Sequence, residues 1–129
     1  MPRVQVRYFE DERGSVPVKE WLERLRRQDR HAYARCHAAL RRLAAAGHEL
    51  RRPHCDYVRS GVYELRARSG RTQLRILYCF FGQIAVVLIH ALTKEDRIAE
   101  FDIARALARK RAFEANPEER SHERNWADE

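Results

Sequence analysis

Within the segment Val62–Phe80, polar side chains recur at alternate positions on either side of Ser69-Gly70, and four of them are arginines. A two-residue turn at Ser69-Gly70 would fold the segment into an antiparallel hairpin. Because paired residues of a hairpin point to the same side of a sheet, the polar side chains would share one face. The members of this polar face are Glu64, Arg66, Arg68, Arg71, Gln73 and Arg75. Arginine presents a planar fork of donors that fits phosphate, so the hairpin predicts a surface that binds RNA or DNA.

Pairing through this turn also predicts a register, in which Glu64 lies opposite Arg75 and Arg66 lies opposite Gln73. The remaining positions form the opposite face, which we expect to pack against helices. The members of this apolar face are Tyr63, Leu65, Ala67, Thr72, Leu74 and Ile76. The separation is more informative than the number of arginines, because a compositional bias would scatter arginines over both faces.

A second turn at Gly82-Gln83 would pair the following strand and bring His90 opposite Arg75, on the polar face. A slip of one residue in this turn would move His90 to the apolar face. Lys94, just past the strand, would border the polar face, whereas Tyr78 falls on the apolar face and is expected to pack there. His90 is therefore a candidate for acid–base chemistry near neutral pH.

Two alternatives to a nucleic-acid surface stay open for the polar face. A solvated sheet face is often charged, so Arg68 and Arg71 could simply point into water. Glu64 opposite Arg75 could be an ordinary cross-strand ion pair, worth less than about 1 kcal/mol. Close arginines repel one another, however, so a cluster without a function would be mildly unfavourable.

The composition is strongly basic, with a formal net charge of +7 and a pI near 9.8. All basic residues except Lys19, Lys94 and Lys110 are arginines, a bias that suits a nucleic-acid partner but also arises from GC-rich coding sequence. A chain of 129 residues can build one core. No stretch approaches the ~20 apolar residues that span a bilayer, so we expect a cytoplasmic protein with no membrane partner.

The three cysteines, Cys36, Cys55 and Cys79, are widely spaced and form no Cys-x-x-Cys pair. This pattern argues against a disulfide framework and against a zinc site. The neighbouring pairs Cys36-His37 and His54-Cys55 point their side chains in different directions on any regular element. We therefore expect no metal and no small-molecule cofactor.

Hydrophobic periodicity predicts an α+β domain with the order β-α-α-β-β-β-α. Pro17 suits a helix start, and Asp29 and Gly47 would begin and end a second helix. The expected fold has an N-terminal strand, a helical hairpin, a three-stranded antiparallel meander and a C-terminal helix. The predicted strands are 3–9, 62–68, 71–81 and 84–93, and the predicted helices are 17–27, 29–46 and 98–113.

Two segments carry no predicted element. Leu50–Ser60 is expected to be irregular and basic, and residues 114–129 are expected to form a charged, flexible tail that follows a domain over residues 1–113. In the last helix, the apolar side is expected to be Ile98, Phe101, Ala104, Ala108 and Ala112.

Three motifs resemble a known family. Gly61-Val62-Tyr63-Glu64-Leu65-Arg66 is followed by Arg75-Ile76-Leu77-Tyr78 and then by Leu88-Ile89-His90-Ala91-Leu92-Thr93-Lys94. Together they resemble the phage-derived HigB-like branch of the RelE/ParE toxin superfamily. Pro17–Leu22 and Glu100–Arg105 match it in kind and order, so the resemblance covers roughly Val4–Phe113.

The resemblance implies the toxin of a type II toxin–antitoxin system, which cuts messenger RNA in the ribosomal A site. Its implied partners are mRNA on the ribosome and a helix-turn-helix antitoxin. An alternative within the same fold is a protein that catalyses nothing, either a gyrase poison or an antitoxin-binding regulator.

Metal-independent RNA cleavage needs the 2′-hydroxyl deprotonated, the phosphorane charge stabilised and the 5′-oxygen protonated. We assign catalysis to Arg66, Arg75 and His90, with Arg68 also suited to charge stabilisation. Glu64 and His54 are further candidates for the base. The residues expected to bind RNA are Arg59, Arg68, Arg71, Gln73 and Lys94.

Overall fold

The computed structural model describes residues 4–93 and 97–126, so the predicted contact residue Lys94 lies outside the described residues. A single 3₁₀ turn, Gly47–Glu49, follows the second helix. The strands are β1 (Gln5–Phe9), β2 (Cys55–Arg59), β3 (Val62–Ser69), β4 (Thr72–Phe81), β5 (Ala85–Thr93) and β6 (Ser121–Glu123), and the helices are α1 (Pro17–Gln28), α2 (Arg30–Ala46) and α3 (Glu100–Ala115).

The strands form one mixed six-stranded sheet in the order β2-β3-β4-β5-β1-β6. Strand β1 runs parallel to β5, and the other neighbours are antiparallel. This arrangement confirms the predicted α+β class, with its N-terminal strand, helical hairpin, meander (β3 to β5) and C-terminal helix, and it is consistent with a RelE-like fold. In the described part of the chain, no helix combines the length and apolar character needed to cross a membrane.

The helical hairpin begins and ends where its capping residues predict. The Asp29 side chain accepts a hydrogen bond from the Ala32 amide at 3.0 Å, which satisfies one free N–H of α2. Gly47 ends the helix at a φ of +55°, and a Cβ there would lie 2.8 Å from Val4 Cγ1. The two helices cover one side of the sheet, here called the first face, and build the main core on it.

The turn between β3 and β4 lies one residue later than predicted. Ser69 pairs with Thr72, so the turn residues are Gly70, at a φ of +61°, and Arg71. The predicted partners were therefore wrong, and Arg66 lies opposite Arg75. Because the register moves by two residues along β4, every side chain keeps its predicted face.

The pairing predicted between β4 and β5 was also wrong. Phe81 pairs with Ala85, a slip of one residue that by itself would have turned His90 toward the first face. A β-bulge then inserts Ile89, so that Leu77 lies opposite His90. His90 thus returns to the side of the sheet that carries Arg75, here called the second face, although it is not directly opposite Arg75.

Helix α3 covers the apolar part of the second face. Ala106 and Phe113 are buried there against side chains of β4 and β5, and Ile103 on the same helix is also buried. The predicted apolar side of this helix was wrong, since Phe101 is 66% exposed and Ala104, Ala108 and Ala112 also face solvent. The physical reason is that α3 buries Asp102 as well as apolar residues. The buried side of the helix is therefore rotated relative to the side on which apolar residues recur most regularly in the sequence.

Two strands arise in segments without a predicted element. Strand β2 pairs with β3 at the sheet edge, and β6 pairs with β1 at the other edge. Residues 114–126 therefore differ from the expected flexible tail. Arg124 is buried, with its guanidinium 4.9 Å from the Trp126 ring, and Trp126 packs against the main core.

Candidate nucleic-acid interface

A groove runs between α2 and the edge of β3. Strand β2 pairs with β3 only as far as Leu65, which leaves the end of β3 beside the helix. The groove is lined by Arg35, Ala38, Ala39, Arg42, Pro53, His54, Arg66, Ala67, Arg68 and Gln73. Four arginines and a histidine line it without a carboxylate among these residues, so the groove attracts anions.

Sequence reasoning missed the contribution of α2 to this groove. Arg35 and Arg42 are seven residues apart and so lie on the same side of the helix. The Arg35 Nε donates to the Arg68 carbonyl at 2.9 Å, which attaches the helix to the hairpin. A detectable signal was present, because the segment Arg30–Ala46 contains four arginines and no acidic residue.

The arginines of the second face are partly neutralised. The buried Glu64 carboxylate accepts a hydrogen bond from Arg66 Nε at 2.5 Å and lies 3.6 Å from Arg75 Nη1. Arg66 also lies 3.3 Å from the Asp56 carboxylate, which in turn pairs with Arg52 at 3.0 Å. The hydrogen bond from Arg52 is the main reason that the pKa of Asp56 lies below its usual value. Arg66 therefore lies at the centre of this network.

Arg66 and Arg75 differ in how far their side chains are exposed to solvent. The side chain of Arg66 is 39% exposed and lines the groove, whereas that of Arg75 is 10% exposed. Arg75 donates to the Gln73 side chain at 3.3 Å, and its Nε is buried without a partner among the described residues. Arg66 can therefore reach a bound phosphate directly, while Arg75 holds Glu64 from within the sheet.

Both ring nitrogens of His90 are occupied by residues of α3. Nε2 lies 2.7 Å from the Asp102 carboxylate, and Nδ1 lies 3.0 Å from Arg109 Nη1. Because the guanidinium can only donate, Nδ1 accepts and the proton sits on Nε2, where it is donated to Asp102. Burial and then the positive charge of Arg109 lower the pKa of His90, against the opposing effect of Asp102. The neutral imidazole thus joins β5 to α3.

This arrangement predicts a pH-dependent stability. The imidazole titrates near pH 6.5 in the unfolded chain and at a lower pH in the fold, so the unfolded state takes up the proton first as pH falls. The contribution of His90 to the free energy of unfolding is complete above about pH 6.5. It is lost as the pH falls below that value, by at most about 1.4 kcal/mol per pH unit. Denaturant unfolding from about pH 7.5 to about pH 5.5 should show a shallower decline for His90→Gln than for the parent protein. Equal slopes would contradict the assignment.

The remaining predicted contact residues lie apart. Arg59 makes a bidentate ion pair with Glu100 at 2.9 Å for both contacts, which joins β2 to α3. Arg71 is exposed in the turn, and Gln73 and Arg68 line the groove. The structure therefore brings together Arg66, Arg68 and Gln73 in the groove, with His54 beside them. Arg59 lies outside the groove, in its ion pair with Glu100.

The cysteines contribute no reactive thiolate to this surface. All three are buried, and burial raises the pKa of Cys36 and of Cys79 to about 12. Within residues 4–93 and 97–126, no three histidine, cysteine, aspartate or glutamate side chains come together as a metal site would require.

The fold and groove define a small α+β protein with a basic surface built on an antiparallel hairpin. Residues 22–111 match the family described as Phage derived protein Gp49-like (DUF891), and the chain belongs to this family. The matched segment contains α2, the meander and most of α3, and hence every residue of the groove. No curated protein matches the chain.

Proposed function

We propose that this protein is the toxin of a type II toxin–antitoxin system, a RelE/HigB-like endoribonuclease that cuts mRNA on the ribosome in the cytoplasm. The Gp49-like family is associated with the toxins of toxin–antitoxin systems. The observation that carries the proposal is the arginine-lined groove without a lining carboxylate, formed between α2 and the hairpin that the sequence motifs single out. Its cognate partner is proposed to be a helix-turn-helix antitoxin.

In the proposed mechanism, Arg66 and Arg68 bind the scissile phosphate and stabilise the negative charge that develops on the phosphorane. Arg75 contacts the same Glu64 carboxylate as Arg66 does. Arg75 therefore positions Arg66 by holding Glu64 in place. The 2′-oxygen attacks phosphorus and the 5′-oxygen leaves, which gives a 2′,3′-cyclic phosphate and a 5′-hydroxyl. No metal ion or cofactor is required for this step.

The base in this mechanism is better assigned to His54 than to His90. His54 is one of the residues that line the groove with Arg66 and Arg68, whereas His90 makes hydrogen bonds through both ring nitrogens. Both carboxylate oxygens of Glu64 already contact arginines, one Arg66 and the other Arg75, and the side chain is buried, so Glu64 is poorly placed to reach the 2′-hydroxyl. Imidazole can accept a proton near neutral pH and return it to the leaving group.

Separate substitutions of the two histidines should have different effects. We expect His54→Ala to slow cleavage by about 10²–10⁴-fold, the usual contribution of a general acid or base, with little change in melting temperature. His90→Gln should mainly lower stability, because it disturbs the contact with Asp102. Single-turnover cleavage of mRNA on stalled ribosomes, with thermal unfolding of the same samples, measures both effects. The reverse pattern would return the base assignment to His90.

One observation favours a second candidate, a binder of the same fold that catalyses nothing. Carboxylates already neutralise part of the charge of Arg66 and Arg75, and His90 has no free ring nitrogen. Such a protein would inhibit growth as a gyrase poison or serve as an antitoxin-binding regulator.

A translating extract distinguishes the two candidates. The endoribonuclease should cut mRNA only while it is being translated. Intact mRNA together with gyrase-linked DNA breaks would instead identify the poison. Intact mRNA and intact DNA, together with copurification of a helix-turn-helix protein, would identify the regulator.

A further inference from the structure

A second cleft, separate from the arginine groove, combines exposed rings with arginines. It lies beside the 3₁₀ turn, on the first face at the edge formed by β2. Two arginines, Arg51 and Arg52, are exposed at this cleft, against one acidic residue, Asp56, among its lining. Its aromatic lining residues are His48, Tyr57, Tyr63, Tyr78 and Phe80.

The two most accessible rings of the cleft are each supported by another ring. His48 stacks on Phe80 with ring centroids 3.7 Å apart and planes inclined by 15°, and its Nε2 lies 3.0 Å from the Gly82 carbonyl. Tyr57 is 56% exposed and meets Tyr63 edge to face at 5.2 Å. Supported rings lose little conformational freedom on binding, so they suit a ligand with flat π-surfaces.

We propose that this cleft binds an unpaired base of single-stranded RNA by stacking on His48 and Tyr57, while Arg51 and Arg52 contact the adjacent phosphates. Aromatic rings combined with basic side chains are the usual means of holding single-stranded nucleic acid. The inference relies on the proposed function only in taking RNA as the ligand.

The cleft is connected to the groove around the sheet edge. Asp56 lines the cleft and contacts both Arg52, at 3.0 Å, and Arg66, at 3.3 Å. Arg66 in turn lines the groove. One RNA strand crossing β2 can therefore place a base in the cleft and a phosphate in the groove. This continuity favours RNA over an acidic peptide as the occupant.

Binding of two labelled strands tests the proposal without ribosomes or cleavage. One strand is an oligoadenylate of about ten nucleotides, and the other is an abasic strand of equal length and charge. We expect His48→Ala and Tyr57→Ala each to weaken oligoadenylate binding by about 5- to 100-fold, the range for one lost stacking contact. Binding of the abasic strand should stay within about twofold, since phosphate contacts are retained.

Two further variants control the experiment. Phe101→Ala removes an aromatic ring that is 66% exposed on α3, outside the cleft, and should leave binding unchanged. Tyr57→Leu keeps apolar contact with Tyr63 and should lose affinity as Tyr57→Ala does, which separates stacking from folding. The proposal is overturned by equal losses on both strands, by no loss, or by the same loss in Phe101→Ala. It is also overturned if the cleft variants bind both strands as the parent protein does but no longer copurify with the antitoxin. Absence of mRNA cutting would contradict the proposed function but would not affect the result of the strand-binding experiment.

Discussion

Replacing Arg66 by alanine is expected to slow mRNA cleavage by about 10²–10³-fold, the loss typical of removing one preorganised donor to a developing charge. Arg66 lines the groove and is the more accessible of the two arginines that contact Glu64. Its removal also leaves Glu64 and Asp56 less neutralised, and their negative charge would repel the RNA phosphates. The rate of cutting at saturating ribosome-bound mRNA measures the effect.

Two matched arginine variants make this result specific. Arg66→Lys keeps the charge but loses the planar fork, so its rate should fall between those of the parent and Arg66→Ala. Arg27→Ala removes an exposed arginine from α1, outside the groove, and should retain the parent rate. Equal cleavage by Arg66→Ala and Arg27→Ala would show that Arg66 has no part in the chemistry.

Phe113→Ala is expected to lower the free energy of unfolding by about 3–5 kcal/mol. Phe113 is 1% exposed, lies among the apolar residues of the second face and meets Phe81 edge to face at 5.3 Å. Typical domains are stable by only about 5–15 kcal/mol, so this loss is large. Urea unfolding followed by circular dichroism gives the difference.

Phe101→Ala on the same helix is the matched control. Phe101 is 66% exposed, so its removal should change the free energy of unfolding by no more than about 0.5 kcal/mol. The periodicity of the sequence predicted the reverse, with Phe101 on the buried side. A larger loss for Phe101→Ala than for Phe113→Ala would mean that α3 packs through the side predicted from sequence.

The faces of the hairpin could be predicted from the sequence although its register could not. Alternation assigns Arg66 and Arg75 to one side whichever even shift the turn imposes, because side chains repeat every two residues. Turn position is less constrained, since both Ser69-Gly70 and Gly70-Arg71 can place Gly70 in the left-handed region. His90 reached its predicted face only because a bulge compensated for a slipped turn.

Contacts between elements far apart in the sequence could not be predicted from local sequence patterns. Arg35 joined the groove because α2 crosses beside the end of β3, and Arg59 was drawn to Glu100 on a helix 41 residues away. Strand β6 is only three residues long, and it forms because β1 offers an edge for it to pair with. Such pairings depend on tertiary arrangement, which overrides weak local propensity.

The 5′ ends of an mRNA, mapped by primer extension in a translating extract, test ribosome-dependent cleavage most directly. We expect new ends bearing a 5′-hydroxyl when the parent protein is added. These ends should disappear when initiation is blocked, and they should be reduced at least about 100-fold with Arg66→Ala. An mRNA that stays intact at a concentration of the parent protein that stops translation would contradict the proposed activity. Cutting that continues unchanged without translation would contradict it equally.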